Sequence, residues 1–314
     1  MFCDLTPASA AEQKWIELLI IRDEPGLWAL TFAMRGSVLP KILPRIAVVT
    51  GISIALVWFD HSIWPIHLAG AAPFAVFGVA LSLFLGFRNN AAYDRWWEAR
   101  KLWGQLIADC RAFARELDMF VSDGAQRHSL SRLAGGFIHL HRVNLRGIPP
   151  DAVVRVWGGD LIDTPHPPCA ALNAIAHSLG EAQRNGVLNG FGAKALSERL
   201  GSMALAQAGC ERIATTPLPF VYSLLVHRTS LLYCLLVPLG LMNVAGWMTP
   251  VFVAVIAYVF FGLAAVTEEL ERPFGSTVNG LPLDALCRVV EISLAPHLGE
   301  TVPDRMQPVA HVLR

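Results

Sequence analysis

Residues 73–104 read PFAVFGVALSLFLGFRNNAAYDRWWEARKLWG. The two halves differ in character. Residues 73–87 carry no charge, whereas residues 88–101 carry Arg88, Asp94, Arg95, Glu98, Arg100 and Lys101 around the pair Trp96-Trp97. Only Gly78 and Gly86 loosen the run between Pro73 and Gly104, so the stretch predicts one long helix. Its apolar half leaves a bilayer at Phe87 and its charged half continues into water. On a helical wheel Val79, Leu83 and Phe87 stack on one face, with Gly78, Ser82 and Gly86 in a stripe beside them. Small residues four apart let helix backbones approach closely inside a bilayer. The pattern fits several copies of this helix packed side by side, with the three apolar residues facing a shared axis. Stacked apolar rings on such an axis form a narrow constriction that gates by dewetting. The same spacing also fits ordinary packing or lipid-facing residues, because such stripes are common on buried helices.

Composition supports a membrane protein. The chain of 314 residues is 54% hydrophobic, with 16% charged residues and a mean hydropathy of +0.46, where a soluble domain carries about 25% charge. Lys and Arg number 25 and Asp and Glu number 25, so the balance does not point to nucleic acid as a partner. Six cysteines lie scattered without a CxxC pair and read as buried apolar residues in a reducing compartment. The early acidic and polar residues do not predict a cleavable signal peptide.

Four spans are expected. Residues 46–59 form the first, extended by Ile42 and Leu43 across Pro44 and Arg45, and residues 66–87 form the second. Residues 224–244 and 250–266 form the third and fourth, the latter ending at Glu268 and Glu269. His227 and Arg228 stand where a basic side chain reaches headgroups. The chain thus divides into an N-terminal cytoplasmic or interfacial segment (1–40), two spans (41–87), a cytoplasmic helical region (88–222), two spans (223–268) and a cytoplasmic tail (269–314). Helical patterns are expected at 15–21, 111–120, 130–146, 170–188 and 191–208, with no strand; the tail from Arg272 reads as polar and is expected to wrap the soluble region. Arg22, Arg35, Lys41 and Arg45 precede span one, and Arg88, Arg95, Arg100 and Lys101 follow span two. Arg272 follows span four, while the turns at 60–65 and 243–249 hold no Lys or Arg. Both termini and the 88–222 region are therefore expected in the cytoplasm.

Catalytic chemistry is poorly represented. The sequence contains no GxSxG, Walker loop or HExxH. His139 and His141 point in nearly opposite directions on a helix and do not share a metal. His61 and His67 straddle the outer end of spans one and two without a third ligand. Asp94 and Glu98 share a helical face, but Arg95 and Lys101 beside them make structural ion pairs the expectation. No metal site and no cofactor is expected.

Four motifs carry a family resemblance. Gly86-Phe87-Arg88-Asn89-Asn90 followed by residues 93–104 (YDRWWEARKLWG), Arg35-Gly36-Ser37-Val38, residues 269–275 (ELERPFG), and residues 216–222 (TPLPFVY) occur in order. Together they resemble the bestrophin family, in its bacterial branch, across roughly residues 15–300. The resemblance implies an all-α membrane protein with four transmembrane helices per subunit and a helical cytoplasmic region. Five copies would surround one central pore lined by the second helix, in a homopentamer of the bacterial inner membrane that passes small inorganic ions. It implies a hydrophobic neck at Val79, Leu83 and Phe87 and a second constriction at Leu218, where Pro217 and Pro219 fit a rigid, non-helical backbone. Chloride and other small anions are the implied cargo, and a monovalent-cation channel is the alternative. Arg88, Asn89 and Asn90 lean toward anions; Asp94 and Glu98 lean back. Animal members hold Ca2+ with consecutive acidic residues after the PFG element, whereas Ser276-Thr277-Val278-Asn279-Gly280 stands here and offers no carboxylate. The competing readings are a non-conducting membrane scaffold and a membrane-anchored enzyme built on the 88–222 region.

Overall fold

The computed structural model describes residues 36–65 and 70–308. Among these residues the helices are α1 (Leu39–Ser62), α2 (Ala72–Phe120), α3 (Gly124–Arg146), α4 (Ala152–Gly158), α5 (Pro167–Arg184), α6 (Gly190–Thr215), α7 (Phe220–Ala245), α8 (Thr249–Leu270) and α9 (Leu283–Leu298). No named strand occurs among them, and one isolated antiparallel bridge joins Val121 and Leu188. The expected helix at 15–21, Arg35 and His67 fall outside the described residues. The chain separates into two compact units at Trp96/Trp97, Thr216/Pro217 and Arg272/Pro273. The expected boundaries stood at 87/88, 222/223 and 268/269.

The first unit holds α1, the opening of α2, α7 and α8. Among the described residues three segments are long and apolar enough to cross a membrane: Leu39–Ser62, Ala72–Phe120 and Phe220–Leu270. The third comprises α7 and α8, parted by a three-residue 3-10 turn at Gly246–Met248. Gly246 turns the chain at φ +51°, a conformation open to glycine at little cost, and Pro250 sits in the first turn of α8, where its missing N–H costs nothing. The expected turn at 243–249 is found there. Helix α1 packs on α8 through Ile42, Val49, Ser53 and Val57, while Val48, Ile52 and Trp58 stay exposed. Leu81 and Leu85 of α2, Tyr233 and Val237 of α7, and Val253, Ala257 and Phe261 of α8 form the common core. Large exposed apolar side chains on α1, α7 and α8 give the unit a surface suited to lipid tails.

Packing separates the small-residue stripe. Gly78 faces the Tyr233 ring so closely that a Cβ there would overlap the hydroxyl, whereas a Cβ at Gly86 would meet open space. Ser82 is exposed and donates to the Val79 carbonyl at 2.8 Å. Gly78 therefore serves packing within the chain, and Gly86 with Ser82 stays available on the surface.

The second unit comprises the rest of α2, helices α3 to α6, and α9. Helix α2 runs unbroken through Phe120, so the expected helix at 111–120 is the same helix as 73–104. Asp123 and Asp151 cap α3 and α4 by accepting from Ala125 N and Val154 N, and Asn189 caps α6 by accepting from Gly192 N. Helix α4 was not foreseen. The tail packs with the second unit, but its expected polar character is corrected. Leu283, Leu286, Val290 and Leu294 are buried, so the segment folds as the amphipathic helix α9 against α3.

The two histidines of the HxH pair go to different neighbours. His139 stacks on Trp157 with ring centroids 5.5 Å apart, while His141 lies between Trp103 and Phe137 at 5.8 and 5.7 Å. Burial, with a smaller contribution from His166, lowers the His141 pKa from 6.5 to about 3. Between those values the unfolded chain binds a proton that the folded chain refuses, so stability falls as the pH drops below 6.5, at up to about 1.4 kcal/mol per pH unit. Both ring nitrogens lack hydrogen-bond partners. His141→Phe should keep the stack and flatten this part of the dependence. The unfolding midpoint of the detergent-solubilised chain between pH 6.5 and 4 is the check; an unchanged profile contradicts it.

Candidate functional site: the two faces of helix α2

Residues 76–94 of α2 have opposed faces. Leu81, Leu85 and Ala92 are buried. On the other side Val79, Leu83 and Phe87 are 62%, 57% and 70% exposed. Val76, Asn90 and Asp94 fall on the same face by helical spacing and are exposed too. The three expected neck residues are thus side by side, on the face turned away from the unit's core.

The expected mouth charges separate. Arg88 lies on the inward side. Its Nη2 donates to Glu271 Oε1 at 2.5 Å and to Ser223 Oγ at 2.8 Å, with the Arg88 side chain 9% exposed. Arg88, one of the expected mouth charges, thereby ties α2 to α7 and to Glu271, just past the end of α8. Asp94 lies on the exposed stripe with no ion pair among the described residues. Glu98 pairs with Arg212 at 2.5 Å on the surface of the second unit, an arrangement worth at most about 1 kcal/mol.

Glu271, within the ELERPFG element, meets two arginines of α2, Arg88 and Arg95. Its carboxylate takes Arg88 and its carbonyl accepts from Arg95 Nε at 2.8 Å. Nearby, Lys41 and Glu268 pair at 2.8 Å, and Asn89 Oδ1 accepts from Thr267 Oγ1 at 3.4 Å. The available signal was a run of carboxylates, Glu268, Glu269 and Glu271, directly after an uncharged span; it could not say which one faces Arg88. A cavity of about 330 Å3 opens here, lined by Arg45, Arg88, Ser223, His227, Glu268 and Arg272.

Leu218 sits half-buried in the non-helical link 216–219 between α6 and α7. Phe274 of the PFG element is buried, and the residues after it turn back, with Leu281 N donating to the Pro273 carbonyl at 2.7 Å. His61 meets Trp247 edge-on at 5.8 Å. No cluster of three or more metal-ligating side chains occurs among the described residues.

The model of the bacterial and fungal bestrophin proteins matches residues 19–296. The chain belongs to the bestrophin family. A voltage-dependent anion channel-forming protein of Mesorhizobium japonicum is 45% identical over 92% of this chain and 95% of its own length. The protein of that description from Escherichia coli K12 is 38% identical over 93% and 99%. The crystal structure of a bacterial bestrophin homologue from Klebsiella pneumoniae superposes with a TM-score of 0.77 at 31% identity, covering 84% of this chain and 100% of that one. Family membership and the apolar helices make this bestrophin a membrane protein.

Removing one partner from a buried ion pair leaves an uncompensated charge and costs about 3–5 kcal/mol. Arg88→Ala and Glu271→Ala should each lower the unfolding midpoint in detergent, and the double variant Arg88→Met/Glu271→Met should recover most of the loss. A double variant as unstable as the sum of the singles contradicts the pairing.

Proposed function

We propose that this bestrophin is a passive anion channel of the bacterial inner membrane, formed by five copies around a central pore. The observation that carries the reading is the exposed apolar stripe of Val79, Leu83 and Phe87, set opposite the buried Leu81, Leu85 and Ala92. A stripe of that kind needs a cover, and five stripes facing one axis cover each other while leaving an apolar neck that water enters reluctantly. Each subunit crosses the bilayer four times, by α1, α2, α7 and α8, with both termini in the cytoplasm. Leu218, held between two prolines, forms a second constriction on the same axis. Transport requires no reaction chemistry and no cofactor.

The sign of the ion follows the relatives, whose names are those of anion channel-forming proteins. One observation favours a second reading, a monovalent-cation channel of the same build. Arg88 is spent on Glu271, while Asp94 stands exposed in line with Phe87, so five carboxylates would ring the mouth and attract cations.

Purified protein in planar bilayers under a KCl gradient should reverse near the chloride equilibrium potential. Reversal near the potassium potential, shifted back by Asp94→Asn, would establish the cation reading instead. Leu83→Ala with Phe87→Ala should raise the conductance several-fold by widening and wetting the neck. Absence of current in both the parent and this double variant rules out a channel and leaves a scaffold or enzyme. Micromolar Ca2+ should leave the current unchanged, because residues 276–280 carry no carboxylate; a current that opens with Ca2+ refutes that part.

A further inference from the structure

One end of the first unit gathers charge. Lys41 and Arg45 stand in the first two turns of α1, Arg88 on α2, and Glu268, Glu271 and Arg272 at or just past the end of α8. All of these except Lys41 line the cavity of about 330 Å3, and ligand pockets usually measure ~300–1,000 Å3.

The charges do not cancel. Glu268 takes Lys41 at 2.8 Å and Glu271 takes Arg88 at 2.5 Å, so each carboxylate lining the cavity has its own cation. Arg45 and Arg272 are exposed and form no ion pair among the described residues. Both act electrostatically on the Glu268 carboxylate, which places the two guanidiniums about one point. Ser223 Oγ accepts from Arg88 and keeps its own O–H as a donor.

The rest of the wall is apolar, built of Phe220, Leu224, Ala264 and Ala265. Phe220 is 77% exposed, so this wall reaches the outside of the unit. The cavity lies where α1 and α7 begin and α8 ends. For helices that cross a bilayer, that is the depth of the headgroups, where basic pockets between spans take anionic lipid. An inorganic anion would use the guanidiniums and leave the apolar wall idle; an anionic head joined to an acyl chain uses both.

We propose that this cavity binds the phosphodiester headgroup of an anionic glycerophospholipid. Arg45 and Arg272 donate to the phosphate oxygens, and the Ser223 hydroxyl adds a hydrogen bond. The start of an acyl chain lies against Phe220 and Leu224. The inference rests on α1, α7 and α8 crossing the bilayer and not on the channel reading.

The full chain in a neutral maltoside detergent is titrated with dioleoyl-phosphatidylglycerol or with dioleoyl-phosphatidylcholine. Bound lipids are counted by native mass spectrometry and the unfolding midpoint is followed. Saturable binding of the glycerol lipid, with a midpoint rise of a few degrees, is expected when it far exceeds its Kd, and the zwitterionic choline lipid should bind about tenfold more weakly or worse. Arg45→Gln and Arg272→Gln should each weaken glycerol-lipid binding about fivefold, the share of one basic residue beside anionic headgroups. Arg155→Gln, an exposed arginine of the second unit that does not line the cavity, should change nothing. Equal binding of the two lipids marks a plain lipid annulus and overturns the proposal. So does sodium phosphate raising the midpoint as far as the lipid does, which marks a site for a free anion. Full affinity in Arg45→Gln/Arg272→Gln, or an equal loss in Arg155→Gln, overturns it too. If neither lipid binds, the proposal falls together with the placement of this end of the spans at the headgroups.

Discussion

A guanidinium next to an apolar helix must find its counter-charge before the helix can be packed. Arg88 meets this constraint with Glu271 at 2.5 Å, and Ser223 takes a second hydrogen bond. Because the side chain turns inward, the rotation of α2 about its own axis is fixed. Leu81, Leu85 and Ala92 then face the core, and Val79, Leu83 and Phe87 face away from it. Arg95 reinforces the arrangement by reaching the Glu271 carbonyl. Rotating α2 by half a turn would bury the stripe and expose the guanidinium, at the cost of both the pair and the core. The geometry of the candidate site therefore follows from where one charge is neutralised.

The second unit applies the same rule twice and escapes it once. Asp109 is fully buried and takes Arg199 at 2.9 Å, with the Ser202 hydroxyl and the Gln105 amide completing its shell. Arg199 reaches Glu116 as well, so this cluster joins the later turns of α2 to α6. Arg142, Arg146 and Asp284 join α3 to α9. His141 takes the other route: with no counter-charge in its stack, it stays neutral under the dielectric penalty of burial. Glycine makes the packing of Trp157 on α3, beside His139, possible, since a Cβ at Gly135 or Gly136 would collide with Trp157.

Much of this was legible in residue order. The apolar run from residue 73 to 87 and its charged continuation mark α2, but not its extension past Gly104, because a glycine inside a helix is not distinguishable by sequence from one that ends it. The turn between α7 and α8 was visible from its uncharged, glycine-bearing residues. In the tail, prolines at 273, 282 and 296 mask the helical spacing of Leu283, Leu286, Val290 and Leu294. Spacing identified Val79, Leu83 and Phe87 as a set, yet it could not separate the roles of Gly78 and Gly86, which depend on whether Tyr233 arrives from another helix.

The sequence by itself determined the helical class, the apolar spans, the membership in the bestrophin family and the three residues that share one face of α2. Local periodicity and motif order carry that information, because both are set by neighbours a few positions apart. Only the tertiary structure decided which charges are free. Arg88 and Asp94 look equivalent along the chain, six residues apart on one helix. The difference arises because Glu271, 183 positions further on, comes to lie against one face of α2 and not the other. Charge pairing across such separations depends on how helices pack, and packing is not written in local spacing.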